Sequence, residues 1–301
     1  MRNTALNRLV VITRANFLPL TLAIVSAGLA AAIYAHGVFN TFDALLVMIG
    51  ALLAHASVNV FNNYFDYRSR VDEKTMKTPF SGGVDILVEG RMKPPVALGI
   101  GVACLFGAAL VGVYFLTVTF YPLLPILAYG LIAICLYTPI LSKIHALSEI
   151  VAGSGFGFMA LGVYVTQTGV VDGTSISILV PISILVGLLL FLNEFPDADA
   201  DKAAGRRHLV ILLGTKRSSW IYVGGLVATY VSIFAAVAAR VAPVTVLISV
   251  ITIPIAYKAA RITLNNYDQV AKLIPALASN VMLILGTILL IAVGFLMGIY
   301  L

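Results

Sequence analysis

The chain has 301 residues, 60% of them hydrophobic and 11% charged, with nineteen Lys and Arg against thirteen Asp and Glu and a formal net charge of +6. A water-soluble domain of this length could not hide that much apolar surface, so lipid is the solvent for most of it. A backbone in lipid must close its own hydrogen bonds as a helix or a closed barrel, and apolar runs of roughly 18 to 25 residues without ten-residue alternation exclude the barrel.

In chain order, Arg2, Arg8 and Arg14 precede an apolar stretch from Phe17 to about Ala35. It is too long for the apolar region of an ordinary signal peptide and reads as a first span. Apolar runs and their punctuation then give nine spans, near 15–36, 42–65, 95–117, 120–139, 146–168, 174–195, 218–239, 241–260 and 273–300. The expected fold is all-α: nine transmembrane helices around a central cavity, with cytoplasmic Asp-rich loops, in one domain, 1–301, with pseudo-repeat halves of roughly 1–140 and 141–301. Cys104 and Cys135 lie inside apolar runs and read as small core residues. Of the nineteen Lys and Arg, all but Arg240 fall on the side holding the amino terminus and the connections after spans two, four, six and eight. The positive-inside rule makes that side cytoplasmic and puts the carboxyl terminus outside, in a multi-pass cell-membrane protein. Topology thus accounts for the positive charge, and no nucleic-acid partner is needed.

The carboxylates share the asymmetry, only Asp43 and Asp172 of thirteen lying on the outer side. Span two ends in Asn59-Val-Phe-Asn62-Asn63-Tyr-Phe-Asp66 and continues to Asp72, and span six ends in Asn193-Glu194-Phe-Pro-Asp197-Ala-Asp199-Ala-Asp201. Asn62 and Asp66 recur as Asn193 and Asp197, an offset of 131 in both cases, which suggests a duplicated helix-and-loop unit around one cavity. Residues four apart share a helix face, so Asn62 with Asp66 and Asp197 with Asp201 can present oxygens together, although Pro196 should loosen the end of span six. Acid and amide oxygens without a nearby His or Cys suit hard Mg²⁺, which takes one or two carboxylates and leaves room for substrate phosphates. Ordinary solvated interfacial acids are the plain alternative, and the matched spacing at matched topological positions argues against it. Lys74, Lys77, Arg91, Lys143, Arg206 and Arg207 supply cations for an anionic ligand, Lys143 standing out as the one strong cation of a short connection, six residues after Tyr137. Tyr137, Phe158 and Tyr164 either face the cavity, where their π faces would stabilise a cation, or pack between helices. Gly153-Ser-Gly155-Phe-Gly157 reads as a close helix contact and Trp220 as an interfacial anchor, and His36, His55, His145 and His208 show no paired spacing.

These residues resemble the UbiA superfamily of intramembrane prenyltransferases along the whole chain: nine helices, an Asn-Asp-x-x-Asp-type motif after helix two and an Asp-x-x-x-Asp motif after helix six. Asn62-Asn63-Tyr-Phe-Asp66 and Asp197-Ala-Asp-Ala-Asp201 correspond to them, with Asn63 where the family usually has Asp and the last acid, Asp72, six residues beyond Asp66. That spacing, with Thr78-Pro-Phe-Ser-Gly-Gly83, Gly162-Val-Tyr164-Val-Thr-Gln167-Thr-Gly169 and Thr13-Arg14 followed by Pro19, is similar to the branch that prenylates 1,4-dihydroxy-2-naphthoate for menaquinone. The resemblance implies a Mg²⁺-bound prenyl diphosphate that ionises toward an allylic cation, attacked by a lipid-soluble aromatic acceptor within the bilayer. It implies Asn62, Asp66, Asp72, Asp197 and Asp201 as metal ligands, and Asp66, Asp197, Tyr137 and Lys143 as catalytic. Arg14, Asn63, Lys74, Lys77, Arg91, Lys143, Tyr164, Asn193 and Arg206 are then substrate-binding. Among acceptors, 1,4-dihydroxy-2-naphthoate leads over 4-hydroxybenzoate and geranylgeranylglyceryl phosphate. A transporter shares the duplicated halves but generally keeps its polar site at the midplane, and the Asp-Gly-x-x-Ala-Arg signature of CDP-alcohol phosphotransferases is absent.

Overall fold

The computed structural model describes residues 4–71, 78 and 83–301, and every regular element among them is helical. In order these are α1 (Ala5–Ile12), α2 (Pro19–His36), α3 (Thr41–Ser69), α4 (Pro94–Val118), α5 (Phe120–Leu136), α6 (Leu147–Thr168), α7 (Gly173–Ala203), α8 (Leu209–Leu213), α9 (Thr215–Ala238), α10 (Ile253–Asn266) and α11 (Val270–Met297). A 3₁₀ segment, Val244–Thr252, leads into α10. Eight helices among the described residues are long and apolar enough to cross a membrane, and α5 is a shorter apolar helix that fills the fourth expected place.

The two motif helices are the longest, and local chemistry explains it. Asn40 caps α3 by accepting from the Asp43 N–H at 3.1 Å, Asp43 sits in its positive first turn, and Arg70 closes its far end in the left-handed region. α7 opens with a capping box in which the Asp172 carboxylate accepts from the Ser175 N–H and the Ser175 hydroxyl accepts from the Asp172 N–H, both at 2.9 Å. At 1.5 Å per residue, the 29 residues of α3 span about 43 Å and the 31 of α7 about 46 Å, against a hydrocarbon core of about 30 Å. Each helix therefore overhangs the membrane by two or more turns, and the acids ride on the overhang.

This corrects the expectation of acidic loops: Asn62, Asp66, Asp197 and Asp201 lie on continuous helix. Pro196 does not loosen α7, which runs on to Ala203. A proline forfeits one backbone hydrogen bond, but Leu192 and Phe195 on either side of that turn are locked in a core with Tyr222 and Leu277, which holds the helix in register.

α6 and α7 pack closely because Gly153 and Gly157 face α7. A Cβ on Gly153 would fall 2.3 Å from the Ser183 carbonyl oxygen, and one on Gly157 would fall 1.9 Å from Ser183 Oγ. The main core joins Ile24, Ala27 and Ala31 of α2 to Val163 of α6, Leu185 of α7 and Ile288 of α11. Trp220 is 63% exposed, as an interfacial anchor would be. On α4, Phe106, Leu110 and Val113 point outward, which in water would be prohibitive and in lipid is solvation.

Candidate active site

Helices α3 to α7 wall a cavity of about 680 Å³, apolar along its length through Val47, Leu127, Phe158 and Met159 and polar at one end. That end carries Asn62 and Asp66 from α3, Asn193, Asp197 and Asp201 from α7, and Arg206 just beyond α7. The two motifs meet through Arg206, whose guanidinium donates to Asp201 Oδ1 at 2.8 Å and, from its other terminal nitrogen, to Asp66 Oδ1. Burial works against the arginine's charge, but Asp66 and Asp201 outweigh it and hold its pKa above the usual value, so it stays a cation. One carboxylate 140 residues from its cation in sequence and another five residues from it thus close one polar mouth on an apolar tunnel.

The donor set fits a hard divalent cation. Asp66, Asp197 and Asp201 offer carboxylate oxygens and Asn62 an amide, and Asn193 Oδ1 is buried without a hydrogen-bond partner among the described residues. Asn62 is steadied by donating to Thr138 Oγ1 at 3.3 Å. Tyr137, at the end of α5, lines the same end of the cavity.

Arg14 reaches the cavity by a different device. The turn after α1 is clamped to α3 by two amides: Asn59 donates to the Thr13 carbonyl at 3.0 Å, and Asn63 donates to the Ile12 carbonyl at 2.9 Å. Asn63 Oδ1 then accepts from Arg14 Nε at 3.0 Å and from its terminal nitrogen at 2.6 Å, holding a residue whose own backbone is left-handed at φ 48°. Asn63 is fully buried behind the cavity lining, where it holds Arg14 in place.

Three other expected residues also lie away from the cavity. Lys143 is exposed on the short 3₁₀ turn Leu141–Lys143, and its length and hydration favour water over the cavity. Arg91 pairs with Glu89 at the surface. Tyr164 is buried toward the opposite end, donating to Asp172 Oδ2 at 2.6 Å, where His36 joins the same oxygen at 2.9 Å. Asp72, Lys74 and Lys77, with Pro79 to Gly82 of the Thr78–Gly83 stretch, lie outside the described residues.

A family model described as the UbiA prenyltransferase family matches residues 21–282, which takes in both motif helices. The chain belongs to the UbiA prenyltransferase family. The apolar helices make it a multi-pass membrane protein of that family, and the expected resemblance holds. It is similar to the 1,4-dihydroxy-2-naphthoate octaprenyltransferase of Bacillus subtilis, 31% identical over 199 residues that cover 62% of this chain and 62% of that protein. Among solved structures it is similar to the apo UbiA homologue of Aeropyrum pernix K1, with a TM-score of 0.71 and 19% identity over 94% of this chain and 98% of that one. The UbiA homologue of Archaeoglobus fulgidus bound to DMAPP and Mg²⁺ gives a TM-score of 0.66 at 16% identity, covering 95% of this chain and 99% of that one. At those identities the structures share the fold.

In this UbiA-family site the sequence reading passed over a second buried polar group. Glu149 in the first turn of α6, Glu194 on α7 and His208 before α8 bring one ligand-capable atom each to within 4.8 Å of one another. Glu149 accepts from the Leu209 N–H and from the Ser148 hydroxyl, both at 2.7 Å. His208 showed no spacing signal because its partners are 7, 14 and 59 positions away, but a carboxylate in the first turn of a spanning helix was a usable signal for Glu149.

Proposed function

We propose that the chain transfers a prenyl group from a prenyl diphosphate to an aromatic acceptor of the 1,4-dihydroxy-2-naphthoate class. The observation that carries this reading is the convergence of Asp66 and Asp201, from two helices, on Arg206 at the mouth of a long apolar cavity. A prenyl diphosphate has the same division: a multiply charged head and an apolar tail. The named activity of the Bacillus subtilis relative supports the acceptor class, and the ligands named for the Archaeoglobus fulgidus homologue support the donor and Mg²⁺. The surplus of Lys and Arg at the motif end supports a cytoplasmic active site, and the repeated Asn and Asp spacing of α3 and α7 supports two duplicated halves in one domain.

Asp66, Asp197 and Asp201, with Asn62 and Asn193 beside them, would hold Mg²⁺, and Mg²⁺ when bound neutralises charge on the leaving diphosphate. Arg206 and Arg14 add fixed positive charge on either side of the head group. The allylic carbon–oxygen bond breaks with its electron pair leaving on diphosphate. A ring carbon of the acceptor then forms the new carbon–carbon bond, and that carbon loses a proton or, where it bears a carboxylate, carbon dioxide. Tyr137 and Phe158 line the cavity where their π faces stabilise an allylic cation, and the apolar walls keep water from it.

Purified protein in nanodiscs, given geranylgeranyl diphosphate with 1,4-dihydroxy-2-naphthoate, 4-hydroxybenzoate or geranylgeranylglyceryl phosphate, tests this by mass spectrometry of the product. The expected result is a prenylated naphthalene product that disappears on chelation of Mg²⁺. Prenylation of another acceptor alone would overturn the acceptor class.

A further inference from the structure

Below the diphosphate end of the cavity the chain buries a carboxyl group and an imidazole with polar atoms that make no hydrogen bond among the described residues, backed by a second carboxyl group that is satisfied. Glu194, His208 and Ser148 line the cavity, and Glu149 stands behind them. Glu194 is 5% exposed and His208 2%. Glu194 Oε2 and both ring nitrogens of His208 make no hydrogen bond among the described residues. The ring lies within ion-pair reach of Glu194 Oε2 at 3.5 Å and Asp201 Oδ2 at 3.3 Å, but without hydrogen-bond geometry. Buried polar atoms left in that condition normally have a partner, because the loss of solvation is otherwise uncompensated. Glu149 is different: both its oxygens are engaged, and the Ser148 hydroxyl that it holds lies 3.5 Å from Glu194 Oε1. Glu149 is therefore a positioning residue, fixing Ser148 and the start of α8, while Glu194 and His208 present free capacity to the cavity.

Placement names the ligand. Glu194 precedes Asp197 by three residues on continuous α7, so it sits about one turn, roughly 4.5 Å, deeper along the tunnel than the carboxylates read here as the Mg²⁺ ligands that would anchor the diphosphate. A prenyl diphosphate held by its head at those carboxylates would bring its first carbon to the level of Glu194. A carboxyl oxygen there, buried and without a hydrogen-bond partner among the described residues, accepts from a hydroxyl and offers nothing to a ring carboxylate or a second phosphate. Resting on the function proposed above, we propose that Glu194 and His208, buttressed by Glu149, form the acceptor subsite. They receive the hydroxyl hydrogen of a phenolic ring, and so hold that ring against the allylic carbon with any ring carboxylate turned away from them.

The test compares 1,4-dihydroxy-2-naphthoate with its two mono-O-methyl ethers, which keep the ring but lack one donor each, in wild type, Glu194→Gln, Glu194→Leu and His208→Ala. One ether should be a poorer substrate of wild type by about 100-fold in kcat/KM, since a site built to bind a hydroxyl discriminates against its absence. Glu194→Leu should bring that ratio below about tenfold. Glu194→Gln, which keeps an acceptor oxygen and guards against misfolding, should raise the acceptor KM about tenfold while the KM for geranylgeranyl diphosphate stays within about twofold. Equal movement of both KM values, or unchanged discrimination between hydroxyl and ether, would overturn the subsite. So would one zinc ion per chain surviving chelation in wild type and lost in His208→Ala, because those atoms would then be metal ligands. If wild type prenylates no phenol at all, the function proposed above fails and the subsite falls with it; transfer by wild type with an unmoved acceptor KM in the variants sinks the subsite alone.

Discussion

Neighbouring residues of one motif do different work. Successive residues on a helix are rotated by about 100°, so Asn62 and Asp66 share the cavity face of α3 while Asn63 turns away to Arg14 and the Ile12 carbonyl. Replacing Asn63 with Ala removes three hydrogen bonds and unclamps a left-handed arginine, and the expected outcome is a KM for prenyl diphosphate raised about tenfold with kcat changed less. Steady-state kinetics against varied diphosphate checks this, and an unchanged KM would show that Arg14 holds its place unaided. The same geometry explains what was legible in the sequence. Asp66, Asp197 and Asp201 were legible because i and i+4 spacing survives any detail of packing. Lys143 and Arg91 both reach solvent, since charge alone does not say which way a long side chain points. Glu194 was visible but assigned no partner, since Glu149 and His208 approach it only through tertiary structure.

Among the elements, span positions were readable from apolar runs, and the helix ends were not. The sequence reading stopped spans two and six near residues 65 and 195, whereas α3 and α7 run on to Ser69 and Ala203. Polar residues end a membrane span but do not end a helix, and caps decide the latter: Arg70 in the left-handed region for α3, and Ala204 for α7, whose N–H donates back to Ala200 and Asp201. The glycines of α6 were legible as a contact surface, and the structure divides them. Gly153 meets the Ser183 backbone, while a Cβ on Gly155, which lines the cavity, meets nothing within 4 Å. Gly153→Ala must push α6 from α7 and should cost about 1–3 kcal/mol, read as a fall in the thermal midpoint in detergent, with Gly155→Ala close to wild type. Equal midpoints would mean that the helix pair absorbs a methyl group without opening.

Across the whole molecule, two over-long helices carry acids past the membrane surface, and the helices between them enclose an apolar tunnel that ends at those acids. Arg206 links the two sets, so the site exists only when both motif helices are in place. A head group bound between them needs both, and losing either should be nearly as damaging as losing both, as for groups that act as one unit. The direct test is the rate of prenylated product from geranylgeranyl diphosphate and 1,4-dihydroxy-2-naphthoate for wild type, Asp66→Asn, Asp197→Asn and the double variant in nanodiscs with Mg²⁺. The account predicts that each single variant falls by about 100-fold or more and that the double variant falls little further. Full activity in either single variant, or losses that simply multiply in the double, would contradict a single site shared by α3 and α7.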